Sequence, residues 1–338
     1  MRQIWITRVG GPEVLEVREA PDPTPGPGEL RIRVRAAGIN FADTMARIGL
    51  YPDAPKLPFV PGYEVAGIVD RVGPGVDAGR IGQKVVALTR FKGYADTVCA
   101  LSAATARMPE NIGFAQAAAV PVVWLTAWHM LVNLGNLRKG QRVLIHGAAG
   151  GVGTAALQIC RHLGAEVLGT ASPAKHARLK AMGIDHTIDS RLQDVEAETL
   201  RFTNGKGVDI VLDPVGGKSF KKSFRSLAPT GKLMVFGASS MSTGLGRNLF
   251  AAVRTLIAMP IFLPVPLMNQ NRGVLGINMG RLWGEVDLLG GYFVEILNLV
   301  EQGVFQPIVD LEVPFAQAGK GHQRLAAREN FGKVVIVV

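Results

Sequence analysis

The chain has 338 residues, 48% of them hydrophobic and 19% charged, which suits a globular protein with a sizeable core and favours two domains. Its net charge of +10 reads either as a basic surface or as attraction to an anion such as a nucleotide; with no run of five Lys or Arg and no interleaved basic–aromatic stripe, nucleic acid is disfavoured as a partner. Only Cys99 and Cys160 are present, without CxxC spacing, which excludes a disulfide framework and suits a reducing, cytoplasmic compartment; the opening Met-Arg-Gln-Ile-Trp does not read as a signal peptide.

In chain order, residues 1–20 alternate as a hairpin turning at Gly10-Gly11-Pro12. A proline-rich link follows, and Leu30 to Ala37 then alternates apolar residues with arginines expected to face solvent. Val65 to Val72 and Lys84 to Leu88 read as further strands, so the first third is β-rich and Greek-key-like. The style changes near residue 115. Phe114 to Leu134 reads as helical with a break at Pro121. Strands at 142–146, 166–170, 184–188, 208–212, 232–236 and 273–278 alternate with helices at 152–163, 173–182, 192–203 and 217–227, the rhythm of a doubly wound parallel sheet. Leu282 to Gln302 reads as a long amphipathic helix, and Gly332 to Val338 as a strand returning to the first domain. Leu249 to Met268 breaks the rhythm. It is very apolar, but Arg254 and prolines 260, 264 and 266 oppose a membrane-crossing helix. It reads as an insertion packed on the protein or a second subunit, or else as a hydrophobic lid or membrane-surface contact.

Residues 143–153 (VLIHGAAGGVG) carry the chemistry. A buried strand, a glycine turn and a helix at Thr154 to Leu163 form a cradle for a pyrophosphate, with backbone N–H groups and the helix dipole as the anion site. Ala149, Gly150, Gly151, Val152 and Gly153 are its candidate contacts. Against G-x-G-x-x-G the aligned positions are Ala148, Gly150 and Gly153, so the first glycine is alanine. The second strand ends at Ala171, where an NAD-binding fold carries an acid for the ribose hydroxyls. Ser172 and Lys175 follow, and a 2′-phosphate is served by their hydroxyl and positive charge, so NADPH is favoured over NADH.

Four further stretches are Pro27-Gly28-Glu29, Ala36 to Asp43 (AAGINFAD), Gly49-Leu50-Tyr51-Pro52 and Pro58 to Gly67 (PFVPGYEVAG). Together with Ala148 to Gly153 the chain resembles the medium-chain dehydrogenase/reductase superfamily, in its zinc-free quinone oxidoreductase branch. Through Arg247-Asn248-Leu249 and Asn271-Arg272-Gly273-Val274 it is most similar to homologues of the vesicle amine transport protein. The resemblance implies an α/β protein with a GroES-like domain (1–121 and 283–338) split around a Rossmann domain (122–282), an active site in the cleft between them, and a homodimer formed through the nucleotide-domain sheet edge. It implies Tyr51 as proton donor or substrate-orienting residue, Asn40 and Asp43 near the nicotinamide ribose and substrate, and Thr126 near the nicotinamide and phosphates. Ser190 stands where many relatives cover the 2′-phosphate with a tyrosine. Pro214-Val215 and Phe236-Gly237-Ala238 follow sheet strands where ligands gather, and Asn278, Asn330 and Lys333 complete the nicotinamide end.

Zinc-dependent relatives carry a cysteine where this chain has Asn40 and a histidine where it has Tyr63; the four-cysteine lobe is absent, and the six histidines show no HxxxH or HxH pairing. No metal is therefore expected, and His146 reads as structural. Without a Lewis acid, hydride transfer to a quinone or an activated C=C bond is the accessible chemistry. The alternatives are an enoyl-thioester reductase and an NADPH-binding, membrane-associated protein with little catalysis.

Overall fold

The structure is a computed structural model that describes residues 1–242 and 244–338. The chain divides into two compact units, one of residues 1–125, 244–247 and 279–338, the other of residues 126–243 and 248–278.

The first unit opens on β1 (Arg2–Ile6) and β2 (Leu15–Glu19), paired antiparallel from Arg2 opposite Glu19 to Ile6 opposite Leu15. β3 (Glu29–Ile39) is its long central strand, followed by α1 (Phe41–Arg47), β4 (Glu64–Val72), β5 (Lys84–Leu88), β6 (Thr97–Leu101) and β7 (Thr105–Arg107). Leu30, Ile32 and Val34 alternate into the core. The arginines between them do not all face solvent as alternation predicts. Arg33 is exposed, but Arg31 is buried, because Asp70 on β4 accepts its Nε at 2.8 Å and a terminal nitrogen at 2.9 Å. A bidentate carboxylate in range compensates the loss of water around a guanidinium. Beyond β7 the helical stretch breaks as expected: α2 (Phe114–Ala118) ends, and α3 (Pro121–Trp128) starts with its proline in the first turn, where a missing N–H costs nothing.

The second unit contains β8 (Arg142–Ile145), α4 (Gly151–His162), β9 (Glu166–Thr170), α5 (His176–Ala181), β10 (His186–Ile188), α6 (Val195–Phe202), β11 (Val208–Asp213), α7 (Lys218–Arg225) and β12 (Leu227–Val235). After α8 (Leu249–Ile257) and α9 (Pro264–Gln270) it closes on β13 (Gly273–Gly276). All strands are parallel, in the order β10-β9-β8-β11-β12-β13. Counted within the sheet this is 3-2-1-4-5-6, and the order reverses between β8 and β11, the edge at which such sheets gather ligands. α6 starts three residues later than its pattern suggests, because Asp194 caps it by accepting from the Ala197 N–H at 3.1 Å. The apolar insertion is α8 and α9, interrupted around Pro260. Met259, Phe262 and Leu267 pack on the unit's own core, with Phe262 against Phe224 at 5.2 Å between rings. Its other face is open: Phe250, Ile257 and Ile261 are 79%, 80% and 87% exposed. Among the described residues no helix is long and apolar enough to cross a membrane.

The chain then re-enters the first unit with α10 (Val286–Glu301), β14 (Val309–Pro314), α11 (Ala318–Ala326) and β15 (Lys333–Val337). α10 begins four residues later than its pattern, and β14 is not among the strands expected from the sequence. β15 pairs antiparallel with β3, Ile39 opposite Val334, and parallel with β14. The returning strand therefore completes a seven-stranded sheet, β14-β15-β3-β4-β5-β7 with β6 also on β3.

Candidate active site

In the second unit, β8 leads directly into the glycine turn. Gly147 takes φ +67°, a conformation that side-chain-bearing residues rarely adopt. Its N–H donates to the Thr170 hydroxyl at 3.0 Å and the Ala148 N–H to the Thr170 carbonyl at 3.0 Å, so the end of β9 fixes the turn. A Cβ built on Gly169 would come within 2.6 Å of the Ala148 methyl. This explains the alanine in the motif: Gly147 supplies the left-handed turn one residue earlier, and the Ala148 methyl fills the space that Gly169 leaves. A Cβ on Gly153 would lie 2.4 Å from the Gly147 carbonyl oxygen and 2.6 Å from that of Ala148, so only glycine lets α4 approach so closely. Gly150 caps α4 with no side-chain acceptor. The N–H groups of Gly151, Val152 and Gly153 open the helix and have no intrahelical acceptor. The cradle therefore fits a pyrophosphate. Gly153→Ala is expected to cost about 1–3 kcal/mol by overpacking, read as a lower thermal midpoint together with weakened nucleotide binding in calorimetry.

Beyond β9, Ala171 carries no acid, and Ser172 caps a short turn at Pro173–Lys175. Ser190 is exposed after β10. The neighbouring acid, Asp189, is buried and accepts from the Arg191 N–H at 3.0 Å, so it is held inward. Pro214 and Val215 follow β11, and Phe236, Gly237 and Ala238 follow β12. The two loops are tied together: the Ser239 N–H donates to the Pro214 carbonyl at 2.8 Å and the Ser240 N–H to that of Val215 at 2.9 Å. Beneath them Asp213 is fully buried and accepts from the Val215 N–H (2.7 Å), the Ser219 hydroxyl (2.7 Å) and the Ser223 hydroxyl (2.6 Å). His146 Nε2 lies 2.9 Å from the Ser223 hydroxyl, and burial pushes its pKa down, so this neutral histidine is part of the loop scaffold. Thr126 is buried, and Asn278 is exposed.

In the first unit the candidate residues fall into a buried cluster and an open pocket. Asn40 precedes α1, and Asp43 accepts from the Asn40 N–H at 2.8 Å, closing the helix start. Asp43 is fully buried; it also accepts from the Gly62 N–H (3.0 Å) and the Tyr94 hydroxyl (3.2 Å). The Asn40 amide donates to Glu64 at 2.7 Å, and its oxygen accepts from Lys333 at 2.5 Å. Lys333 lies 2.5 Å from the same Glu64 oxygen, and the other accepts from the Val122 N–H at 2.7 Å. Asn330 donates to the Gly332 carbonyl at 2.8 Å and shapes the entry to β15. Thus Asn40, Asp43 and Lys333 come together, with Glu64 as an unforeseen hub. Zinc does not fit here. The sites of the cysteine and histidine ligands hold Asn40 and Tyr63, and the neighbouring carboxylate already neutralises a buried ammonium that would repel a dication. Among the described residues no group of three His, Cys, Asp or Glu side chains could hold a metal ion.

The pocket is a cavity of about 450 Å³ walled by Tyr51, Tyr63, Phe91 and Trp283, with Arg90, Arg281 and Asp53 among its polar lining. Tyr63 and Phe91 rings lie 4.9 Å apart, and Tyr51 meets Tyr63 edge-on at 6.3 Å. Burial raises the pKa of both phenols, so both stay protonated at neutral pH. Among the described residues the buried Tyr63 hydroxyl has no partner in proper hydrogen-bond geometry; Tyr51 is close enough to influence it without forming that bond. Arg90, Phe91 and Trp283 were invisible to motif reading, because they come from separate segments with no shared pattern.

A β-rich unit with a doubly wound parallel sheet and an alanine-bearing glycine turn defines the medium-chain dehydrogenase/reductases. Residues 26–133 match the alcohol dehydrogenase GroES-like domain, and residues 151–287 match the domain described as zinc-binding dehydrogenase. The rat synaptic vesicle membrane protein VAT-1 homolog is 41% identical over 340 residues, covering 100% of this chain and 84% of that protein. Among solved structures, Escherichia coli quinone oxidoreductase complexed with NADPH is similar with a TM-score of 0.88 and 29% identity, covering 100% of both chains. The CurK enoyl reductase is similar with a TM-score of 0.86 and 28% identity, covering 99% of this chain and 98% of that one. The chain belongs to the VAT-1 homologue family of the medium-chain dehydrogenase/reductase superfamily, with its GroES-like and Rossmann-type α/β architecture.

Proposed function

We propose that the chain is an NADPH-dependent, zinc-independent oxidoreductase that transfers hydride to a quinone or an α,β-unsaturated carbonyl. The observation that carries this reading is the Gly147–Gly153 cradle, an uncapped helix start that only glycine at position 153 permits. The likeness to a quinone oxidoreductase complexed with NADPH supports it. When bound, NADPH supplies the hydride. Ala149 to Gly153 hold the pyrophosphate through backbone N–H groups, and Ser172, Lys175 and Ser190 take the 2′-phosphate. Thr126, Pro214, Val215, Phe236, Gly237, Ala238 and Asn278 serve the rest of the dinucleotide. Asn40 orients the acceptor, while Asp43 and Lys333 act on it from behind and Asn330 shapes their strand. As the acceptor oxygen gains negative charge, the Tyr51 hydroxyl donates a proton to it and is refilled from water. NADPH oxidation, followed optically against quinones, 2-alkenals, enones and enoyl thioesters, tests the reading. Silence across the panel despite tight NADPH binding overturns it, and turnover of the thioesters alone selects the enoyl reductase alternative that the CurK likeness favours.

Lys175→Ala is expected to weaken NADPH binding about tenfold or more, the worth of one charge-assisted hydrogen bond. NADH binding is expected to change much less. Equal losses for both nucleotides remove the 2′-phosphate assignment.

The open apolar face of α8 and α9 favours a second reading, a cytoplasmic protein that touches membrane surfaces with little catalysis. Co-sedimentation with anionic liposomes is its test, and a protein that stays in the supernatant counts against it. β13 is an edge strand, and a homodimer through that edge is proposed as well, with sedimentation velocity as the measurement.

A further inference from the structure

The lining of the Tyr51 pocket distinguishes among flat acceptors, on the reading that this pocket takes the acceptor. We propose that Arg90 makes it selective for planar quinones and enones bearing an anionic substituent, a carboxylate or a sulfonate. Tyr51, Tyr63, Phe91 and Trp283 give the cavity aromatic walls, which suit a planar, electron-poor ring. Its volume of about 450 Å³ is within the range of small-molecule sites and ample for one or two fused rings. Two arginines and one carboxylate line it. Arg281 is committed to Asp53 through two contacts at 2.7 and 3.4 Å. Arg90 makes no hydrogen bond or ion pair among the described residues, so its charge is unmatched at the pocket.

The backbone that carries Arg90 is pinned. The Thr89 N–H donates to the Tyr63 carbonyl at 2.7 Å, and the Lys92 N–H to the Val60 carbonyl at 2.9 Å. Between these anchors Phe91 and Lys92 both adopt positive φ, 66° and 64°, without a glycine. Each such residue costs of order 1 kcal/mol and persists only where its surroundings impose it. The turn places Phe91 in the aromatic wall and Arg90 beside it. A guanidinium there can take a planar or tetrahedral oxyanion through two N–H groups while the ring system of the ligand lies against the aromatics.

The test compares 1,2-naphthoquinone with 1,2-naphthoquinone-4-sulfonate as acceptors for NADPH oxidation, in the unmodified protein, Arg90→Gln and Arg90→Lys. Since the two quinones differ in reactivity, the readout is the ratio of their kcat/KM values in each protein. Arg90→Gln is expected to lower the sulfonate-to-neutral ratio about tenfold or more, and Arg90→Lys to retain a substantial part of it. Added salt is expected to raise KM for the sulfonate, most in the unmodified protein. A ratio unchanged within twofold in Arg90→Gln overturns the proposal. If neither quinone is reduced, the reductase reading is decided by the wider acceptor panel, and calorimetry with 2-naphthalenesulfonate and its neutral sulfonamide decides about Arg90 separately. Tighter sulfonate binding that is lost in Arg90→Gln supports it, and equal affinities in both proteins overturn it.

Discussion

Replacing Lys333 with methionine is expected to destabilise the chain by about 3–5 kcal/mol, the usual consequence of stripping one partner from a buried ion pair. Glu64 would then be a fully buried carboxylate whose remaining contacts are the Asn40 amide and the Val122 N–H. Methionine nearly matches lysine in length, so packing changes little and the loss reports on charge. Removing the carboxylate as well is the control. Lys333→Met with Glu64→Gln is expected to recover more than half of the loss, because the glutamine oxygen still accepts one of those bonds and no charge is left stranded. Urea unfolding followed by tryptophan fluorescence measures both, and a single-variant loss below about 1 kcal/mol is incompatible with the buried pair. The prediction also bears on chemistry. Lys333 holds the Asn40 oxygen while Glu64 holds its nitrogen, so both variants take the donor from the oxygen of the amide that is proposed to orient the acceptor, and the double variant also weakens the hold on its nitrogen. Turnover should therefore fall in the double variant even where stability returns.

What could be read in the sequence divides along physical lines. The cradle was legible because its logic is local. Gly147, Gly150 and Gly153 are close in sequence, and a strand and a helix flank them. Even there, the alanine at 148 made sense only once Gly169, on the adjacent strand, was seen to leave room for its methyl. Periodicity placed the parallel strands, since fully buried strands have to be continuously apolar. It misplaced Arg31, because alternation carries no information about an aspartate 39 residues away. Of the readings of the apolar insertion, packing on the protein is met by one face, which lies on its own unit, while the other face stays open. The least legible part was the wiring of the first-unit cluster. The resemblance places Lys333 at the nicotinamide end but carries no sign that Glu64 and Asn40 are its partners. That meeting depends on β15 returning to pair with β3 across nearly the whole chain. Phe91 at positive φ is a similar case. Nothing in its residue type announces a left-handed turn, which the bonds to Val60 and Tyr63 impose.

Asp43→Asn is expected to change how stability responds to pH. A buried hydrogen-bond chain runs from Arg47 through His322 and Tyr94 to Asp43, with contacts of 3.3, 3.2 and 3.2 Å. Arg47 can only donate, so His322 Nδ1 accepts from it and Nε2 carries the proton toward the Tyr94 hydroxyl, which in turn donates to Asp43. Burial pushes the Asp43 carboxyl up from 3.8 to about 7, against the bonds from the Asn40 and Gly62 N–H groups and the charge of Lys333, all of which favour the anion; Glu64 adds to the rise. Burial, helped by the Arg47 charge, pushes His322 down from 6.5 to about 3. The two groups therefore act in opposite directions. Between about pH 4 and 7 the folded chain keeps an Asp43 proton that the unfolded chain has released, so this contribution is full below 3.8 and is lost as pH rises through 7. Between about pH 3 and 6.5 the unfolded chain binds a His322 proton that the folded chain excludes, so that contribution grows with pH. Each spans an effect of the order of 4 kcal/mol. They largely cancel up to pH 6.5, above which only the Asp43 loss continues. The unmodified protein should thus lose stability from pH 6.5 to 8, whereas Asp43→Asn, lacking the titrating acid, should gain stability up to pH 6.5 and then hold level. The variant starts lower by about 1–3 kcal/mol, because one asparagine oxygen cannot replace two carboxylate oxygens for the Asn40 and Gly62 N–H groups. His146, pushed down by its own burial, contributes equally to both proteins and drops out of their difference. Thermal midpoints measured from pH 4 to 8 settle the matter: parallel curves for the two proteins would mean that the folded chain does not hold the Asp43 proton at neutral pH.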